Sequence, residues 1–213
     1  MAGRILWYFA DPMCSWCWGF SPVIEQIRSA YADRLRISLV LGGLRPGTTE
    51  PLSPQAREDI LHHWHQVHTR TGQDFLFDGA MPPGFIYDTE PACRAVACMA
   101  DITPTLIFPM LKATHAAFYA SGRDVTQTAV LADIAAGLGV SEAEFVNAFD
   151  SHAARHRTSE HFRMARTLGV TGFPTLVLQS DQTFHLITSG WQPQVEVNAS
   201  IDTWLAGKTR SNP

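Results

Sequence analysis

The chain has 213 residues, of which 46% are hydrophobic and 17% charged, as in an ordinary globular protein. Its 16 Lys and Arg against 20 Asp and Glu give a formal net charge of -4, which gives no support for nucleic-acid binding. No segment approaches the roughly 18 apolar residues of a membrane span, and a chain of this length buries a core without disulfide staples.

The N-terminal stretch MAGRILWYFADPM has one arginine before a six-residue apolar run. That run is too short for the apolar region of a signal peptide. We therefore expect a cytoplasmic location, without membrane partners. In a reducing cytosol, cysteines are more often catalytic, ligating or free than part of a structural framework.

The first predicted unit is a strand, a helix and a second strand. Ile5 to Phe9 is an unbroken apolar run typical of a strand covered on both faces. Pro22 lies inside the following helical pattern and predicts a kink or a restart, with Ser21 as the cap. Arg36 to Leu41 then completes a βαβ unit with a parallel pair of strands. The helix is predicted to begin near Cys14, because apolar residues repeat at helical spacing beyond it: Phe20, Val23, Ile24, Ile27 and Tyr31.

Strand patterns are missing between residues 46 and 168, where helical patterns follow one another. Ser141 and Glu144 form a capping-box pattern at one of these helices. The predicted helices span residues 53–70, 90–101, 104–120, 127–137, 141–150 and 158–168.

Strand patterns return near the C-terminus. Thr175 to Leu178 and Phe184 to Thr188 predict a hairpin, and a last helix opens at Pro193 and ends before Gly207. The sequence therefore predicts an α/β domain, discontinuous over residues 1–45 and 169–213, that a helical insertion at residues 46–168 interrupts.

Cys14-Ser15-Trp16-Cys17 is the strongest candidate for chemistry, with three readings. Zinc would need further ligands in a closed site, and Cys93 and Cys98, inside a helical pattern, make a poor second half. A structural disulfide is possible but unfavoured in the cytosol. A redox couple is favoured, because a thiol at a helix N-terminus faces unpaired backbone donors and the positive end of the helix dipole.

Two motifs together make the chain resemble a known family. They are Cys14-Ser15-Trp16-Cys17 at a helix start after a strand, and Val170-Thr171-Gly172-Phe173-Pro174-Thr175 before a hairpin, with a long helical insertion between them. This combination is similar to the DsbA-like branch of the thioredoxin superfamily, and the GFPT and DTEPACRA stretches are most similar to its cytosolic FrnE-like proteins. The resemblance covers nearly the whole chain. It implies a thioredoxin-like fold with a large all-helical insertion between the βαβ half and the ββα half.

The resemblance also implies a function: a thiol-disulfide oxidoreductase or isomerase that acts on protein or peptide disulfides. Cys14 would be the nucleophile and Cys17 the resolving thiol, with no metal and no dissociable cofactor, and with glutathione as a possible reductant. The Phe173-Pro174 bond would be cis, although only about 5 to 6% of X-Pro bonds in folded proteins are. Its backbone would then lie beside Cys14 and pair with an extended substrate. The candidate substrate-binding residues are Trp16, Phe173, Pro174 and Thr175.

Two other functions stay open. Glutathione-dependent isomerases and kappa-class transferases share the insertion architecture, but they carry serine where this chain has Cys14. The chain could also be a module that binds a partner through the helical insertion, with incidental thiols. Substrate, direction of electron flow, redox partner and oligomeric state are not readable from the sequence. Ser15 and Trp16 include no cationic neighbour for the thiolate, which argues against a very strong oxidant.

Other cysteines and histidines are expected to be structural or solvated. Cys93 and Cys98 would rise about 7.5 Å along a helix axis, beyond the roughly 7 Å limit for Cα separation in a disulfide, so we expect small buried side chains. The histidines of HHWHQVH, residues 62–68, lack the spacing of metal ligands, and His152 and His156 lack the signature between them. A solvated or groove-lining face is favoured for both sets. Trp18 and Trp191 are expected to be structural, and Glu25 is more often a surface charge than a proton acceptor under the motif.

Overall fold

A computed structural model describes residues 4–207 as one four-stranded sheet with helices around it. The strand order is β2-β1-β3-β4. β1 pairs with β2 in parallel and with β3 antiparallel, and β3 pairs antiparallel with β4. The predicted βαβ unit and hairpin are therefore confirmed. The strands are β1 (Ile5–Ala10), β2 (Arg36–Leu41), β3 (Thr175–Ser180) and β4 (Thr183–Ser189).

Six of the α-helices lie between β2 and β3, which confirms the α/β fold with a helical insertion. The predicted helix at 104–120 is a 3-10 turn (Pro104–Leu106) followed by a regular helix. The helix predicted at 158–168 already begins at His152, because the Ser151 hydroxyl accepts a hydrogen bond from the Ala154 amide and caps it. The helices are α1 (Ser15–Ala30), α2 (Pro54–Thr71), α3 (Glu90–Ile102), α4 (Ile107–Tyr119), α5 (Thr128–Gly137), α6 (Glu142–Phe149), α7 (His152–Thr167) and α8 (Gln194–Leu205).

Helix α1 continues through Pro22, so the predicted restart with Ser21 as cap is wrong. Proline has no N–H and leaves the carbonyl of Trp18, one turn earlier, without its usual donor. The Gln73 side chain donates to that carbonyl instead, with an N–O distance of 2.9 Å. The Ser21 hydroxyl lies 3.3 Å from the Cys17 carbonyl within the same helix. A partner outside the helix thus supplies the hydrogen bond that proline removes.

The insertion and the sheet share one hydrophobic core. Leu6 and Tyr8 of β1 face α1 and pack in the same cluster as Trp64 of α2 and Phe118 of α4. A smaller cluster on the opposite face of the sheet joins Phe9 to residues of β2, β3 and α7. Side chains from the helices between β2 and β3 thus complete the core beside the Cys-x-x-Cys helix. No helix within residues 4–207 has both the length and the hydrophobicity needed to cross a bilayer.

Candidate active site

Cys14 is the N-cap residue of α1, as the position of the motif predicts. Its backbone is extended (φ -97°, ψ 115°), and its carbonyl accepts hydrogen bonds from the amides of Cys17 (3.0 Å) and Trp18 (3.1 Å). Its side chain makes no capping bond, and the first turn contains no acidic residue. An N-cap side chain faces the free amides of the first turn, where the helix dipole favours negative charge. The site is therefore suited to a thiolate at Cys14.

Cys17 lies one turn further along α1 and differs from Cys14 in exposure. Cys17 is fully buried, whereas Cys14 retains 6% of its surface at the protein exterior. Burial raises the pKa of the Cys17 thiol well above its usual range, and hydrogen bonding to Cys14 raises it further. The two thiols are neighbours and are not bonded to each other. Of the two thiols, only Cys14 can thus contact a large substrate.

The loop before β3 lies against Cys14. The Phe173-Pro174 peptide bond is cis, as the resemblance implies, and the Cys14 thiol donates to the Phe173 carbonyl at 3.5 Å. The Phe173 ring packs on Gly42, where an added Cβ would lie only 2.0 Å from the ring. The Pro174 carbonyl accepts a hydrogen bond from the Gly190 amide at 2.8 Å. The loop is therefore fixed from both sides next to the thiol.

Thr175 occupies the first position of β3 and differs from the other predicted binding residues. Its side chain is only 3% exposed, and its hydroxyl donates to the Gly172 carbonyl at 2.8 Å. The Thr175 side chain therefore holds the loop in place rather than lining a surface that a substrate could reach.

A groove of about 270 Å³ opens above Cys14. Trp16 is half-buried in its wall, with its ring centroid 6.5 Å from that of Trp191. Arg70 lies 5.1 Å above Trp191 in a neighbouring depression that His62 and His65 also line. Trp191, expected to be structural, is thus half-buried at the rim. The groove is lined by Met13, Cys14, Ser15, Trp16, Leu44, Arg45, Ile60, His63, Trp64, Tyr87 and Phe173.

The other two thiols are buried, as expected. Cys93 and Cys98 are fully buried, and burial raises the pKa of Cys98 to about 12. His65 stacks on Phe77 with centroids 3.9 Å apart. Nowhere in residues 4–207 do three His, Cys, Asp or Glu side chains gather as a metal site would require. Trp18 is 7% exposed and structural, as predicted.

Sequence reasoning missed Asp11, which fixes the turn before Cys14. Its buried carboxylate accepts hydrogen bonds from the amides of Met13 (2.8 Å) and Leu44 (2.7 Å) and from the Cys93 thiol (3.4 Å). Burial raises the pKa of Asp11 although these bonds act in the opposite direction. The available signal was an Asp directly after a strand, where its side chain can bond an amide two residues on.

The insertion supplies two further buried groups to the same turn. Nε2 of His115 in α4 lies 3.1 Å from the Asp11 carbonyl, so this nitrogen carries the proton. Burial lowers the pKa of His115 to about 4, which leaves the ring neutral near pH 7. The Tyr87 hydroxyl donates to the Met13 carbonyl at 2.5 Å. The sequence signal that could have identified His115 was a lone histidine in an apolar helix. No sequence signal pointed to Tyr87.

Comparisons with known proteins agree with this geometry. A protein from Nitrosomonas europaea, proposed to be a protein disulfide isomerase, is 46% identical, with a TM-score of 0.92 over 97% of this chain and 100% of that one. The cytosolic disulfide reductase DsbM from Pseudomonas aeruginosa is 29% identical, with a TM-score of 0.77 over 95% of this chain and 98% of that one. DsbM has also been solved with GSH, in a structure that is 28% identical with a TM-score of 0.75.

A curated relative and a family model complete the comparison. The ClpXP adapter protein SpxH of Halalkalibacterium halodurans is 22% identical over 180 residues, which cover 83% of this chain. The chain spans only 58% of the length of that relative. The model of the DSBA-like thioredoxin domain matches residues 5–198. The chain therefore belongs to the DSBA-like thioredoxin domain family.

Proposed function

We propose that the chain is a thiol-disulfide oxidoreductase that acts on protein and peptide disulfides through Cys14 and Cys17. The observation that carries the proposal is the asymmetry of the pair. Cys14 lies at the helix N-terminus on the floor of an open groove, and Cys17 lies fully buried behind it. Membership of the DSBA-like family supports this class of reaction.

The reaction proceeds in two steps. The Cys14 thiolate attacks one sulfur of a substrate disulfide, so that a mixed disulfide forms and the first substrate thiolate leaves. The Cys17 thiolate then attacks the Cys14 sulfur, which closes the Cys14-Cys17 disulfide and releases the second substrate thiolate. The two protons lost by the cysteines equal the two taken up by the substrate thiols. The substrate is reduced by two electrons and the enzyme is oxidised by two, with no metal or dissociable cofactor needed in the step.

The substrate segment lies in the groove between the Cys14 turn and the loop before β3. Trp16 and the Phe173 ring offer apolar contacts on either side of the thiol, and the Phe173 carbonyl, now 3.5 Å from the Cys14 sulfur, can accept a hydrogen bond from an extended chain. Pro174 sets the direction of this carbonyl. Thr175 contributes by holding the loop through Gly172.

Reduction of insulin in the presence of a small thiol tests the function. Cys14→Ser should abolish the activity above the uncatalysed rate, and Cys17→Ala should accumulate mixed disulfides with substrate. Cys98→Ala, which removes a buried thiol away from the turn, is the matched control and should keep the wild-type rate. Full activity of Cys14→Ser would refute the proposal.

We further propose that the enzyme works in the cytoplasm as a reductase that takes its electrons from glutathione. The support is its similarity to a cytosolic disulfide reductase that has been solved with GSH. Arg45 and His63 in the groove also suit the carboxylates of that tripeptide.

Arg45→Gln should raise KM for glutathione up to about fivefold, the effect of one exposed ion pair. Dithiothreitol, which is uncharged, should reduce both forms equally well. Arg36→Gln, at the exposed start of β2, is the control.

A partner-binding module is the second candidate, because the curated relative SpxH is described as a ClpXP adapter. In that case Cys14→Ser would keep partner binding and the thiols would be dispensable. The glutathione-dependent isomerase or kappa-class transferase alternative has less support, since Cys14 stands where those enzymes use serine. Measurable glutathione transfer by Cys14→Ser would revive it.

A further inference from the structure

A depression of about 780 Å³ lies beside the Cys14 groove, between α2 and the loop that joins β4 to α8. None of the residues that line this α2 depression is acidic. A substrate chain that extends beyond the Cys14 groove in this direction therefore meets basic and aromatic side chains. The α2 depression is lined by His62, His65, Gln66, Thr69, Arg70 and Trp191.

Two tryptophans connect the groove with the α2 depression. Trp16 lines the Cys14 groove, and its ring centroid lies 6.5 Å from that of Trp191, which lines the depression. Nε1 of Trp191 donates to the Gly19 carbonyl of α1 at 3.2 Å, so the indole is fixed to the Cys-x-x-Cys helix. Both rings are half-buried. A peptide that leaves the groove across Trp16 thus passes Trp191 next.

Arg70 supplies a positive charge at this point. Its guanidinium carbon lies 5.1 Å from the centroid of the Trp191 ring. The side chain is exposed and makes no ion pair with any side chain of residues 4–207. An aromatic face holds a guanidinium in place and leaves its N–H groups free to donate. Arg70 is therefore suited to bind a carboxylate with two hydrogen bonds.

Two histidines of the α2 depression are engaged within the protein. Nε2 of His62 lies 2.9 Å from the side-chain nitrogen of Gln66, and His65 stacks on Phe77 with centroids 3.9 Å apart. Arg70 is thus the charged group that the depression offers to a ligand.

The backbone that presents Arg70 is held against the Cys-x-x-Cys helix. An added Cβ at Gly19 of α1 would lie 2.8 Å from the Val67 side chain and 2.9 Å from that of Thr71, so α1 and α2 are in close contact here. The Thr71 hydroxyl also donates to the Val67 carbonyl at 2.7 Å. Because Arg70 directly precedes Thr71, its backbone is fixed relative to Cys14.

The spacing along α2 gives the reach of a bound chain. His63 lines the Cys14 groove, and Arg70 lies seven positions further along the same helix. At 1.5 Å per residue this is about 10.5 Å along the axis. An extended chain advances about 3.3 Å per residue and covers that distance in about three residues. A side chain about three positions from the reacting cysteine of a substrate therefore reaches Arg70.

We propose that the α2 depression is a substrate subsite that binds an acidic side chain about three positions from the reacting cysteine of a protein substrate. Arg70 is the residue that determines this specificity. The inference rests on the thiol-disulfide function proposed above and leaves the exchange at Cys14 unchanged. Glutathione has only one residue on each side of its cysteine and ends before this subsite.

Disulfide-linked dimers of short peptides test the subsite. Each strand has one cysteine in a Gly-Ser background, with Asp three positions before or after the cysteine, and matched peptides have Asn instead. The second-order rate constant for oxidation of the reduced enzyme is measured after acid quenching. Because a nearby carboxylate also alters the peptide thiol, the quantity compared between enzymes is the ratio of the Asp rate to the Asn rate.

Arg70→Gln should lower this ratio roughly twofold to fivefold for one of the two Asp positions, the effect of one exposed ion pair. Its rate with the Asn peptides should match the wild type. Added salt should bring the wild-type ratio toward that of Arg70→Gln, because exposed charges are screened. Arg70→Glu should instead react faster with matched Lys peptides than with Asn peptides. Arg36→Gln, at the exposed start of β2, is the control and should keep the wild-type ratio.

Separate outcomes refute the subsite and the function. Equal ratios in wild type and Arg70→Gln at both Asp positions would overturn the subsite, and so would an equal loss in Arg36→Gln. A higher KM for glutathione in Arg70→Gln would also contradict it, because glutathione should not reach Arg70. Failure of the wild-type enzyme to react with any of the peptide disulfides would instead refute the thiol-disulfide function.

Discussion

Gly42→Ala should disturb the active site without touching a reactive group. Gly42 follows β2, and its amide donates to the Ala10 carbonyl at 2.8 Å. An added Cβ would lie 2.0, 2.2 and 2.6 Å from three atoms of the Phe173 ring, whereas real Cβ contacts stay above 3.0 Å. The ring must therefore move by about 1 Å or more, as overpacked cores do. Because the Phe173 carbonyl contacts the Cys14 sulfur, we expect movement of the ring to disturb this contact with the nucleophile.

The cost follows from overpacking of a dense core, about 1 to 3 kcal/mol. For a protein of this size, each kcal/mol lowers Tm by about 2 to 4 °C. Thermal unfolding should therefore show a loss of about 2 to 12 °C, and insulin reduction should slow at the Cys14 step. The double variant Gly42→Ala with Phe173→Ala should recover part of the lost thermal stability, because the two side chains are in direct contact.

Gly137→Ala is the matched control for this prediction. Gly137 ends α5, and no atom lies within 4 Å of its added Cβ. Alanine there should be neutral or stabilise the protein by up to about 1 kcal/mol, with full activity. If Gly42→Ala also unfolded at the wild-type temperature and reduced insulin at the wild-type rate, the packing argument would be refuted.

Three further predictions concern charge and thiol burial. Because the pKa of Asp11 is raised in the folded protein, its ionised carboxylate lowers the free energy of unfolding at neutral pH. This cost disappears as pH falls toward the pKa that Asp11 has in the unfolded chain. Urea unfolding should thus favour wild type over Asp11→Asn increasingly as pH falls from neutral toward the unfolded pKa of about 3.9; a pH-independent difference would contradict this. The exposed Asp101, whose pKa Arg157 lowers through hydrogen bonds of 2.5 and 2.6 Å, contributes stability above its unfolded pKa. Asp101→Asn should cost at most about 1 kcal/mol at neutral pH, and this cost should shrink as pH falls below the unfolded pKa of about 3.9. Finally, excess dithiobis(nitrobenzoate) should count only two reactive thiols in the native protein and four after denaturation, because Cys93 and Cys98 are buried; rapid reaction of a third thiol would disprove their shielding.

Local patterns were sufficient to predict the order of the elements. The apolar run of Ile5 to Phe9, the helical repeat after Cys14 and the hairpin after Pro174 each depend on residues close in sequence, and all three are present. The placement of Cys14 at the start of α1 also follows locally, because only three residues separate the motif from the end of β1.

Long-range contacts could not be predicted in this way. The predicted restart at Pro22 is wrong, and Gln73, which follows α2 and is 55 positions from Trp18, supplies the hydrogen bond that proline removes. His115 is 104 positions from Asp11, the residue whose carbonyl it binds. Such partners carry no signature of their own, since one buried polar side chain in an apolar segment is compatible with many folds. Without knowledge of the packing, the residues that hold the Cys14 turn could not be found.

Tyr87 of the insertion contacts the turn before Cys14, and its removal tests how far the insertion positions that turn. Its buried hydroxyl donates to the Met13 carbonyl at 2.5 Å, so Tyr87→Phe leaves that carbonyl without a partner in the core. The expected cost is about 1 to 3 kcal/mol, together with slower attack by Cys14. Tyr31→Phe is the control, because its hydroxyl donates to the Asn198 carbonyl at 3.2 Å, away from the Cys14 turn. This variant should also lose stability but should keep the wild-type rate of attack by Cys14. An unchanged rate of attack by Cys14 in Tyr87→Phe would show that the insertion packs beside the cysteines without positioning them.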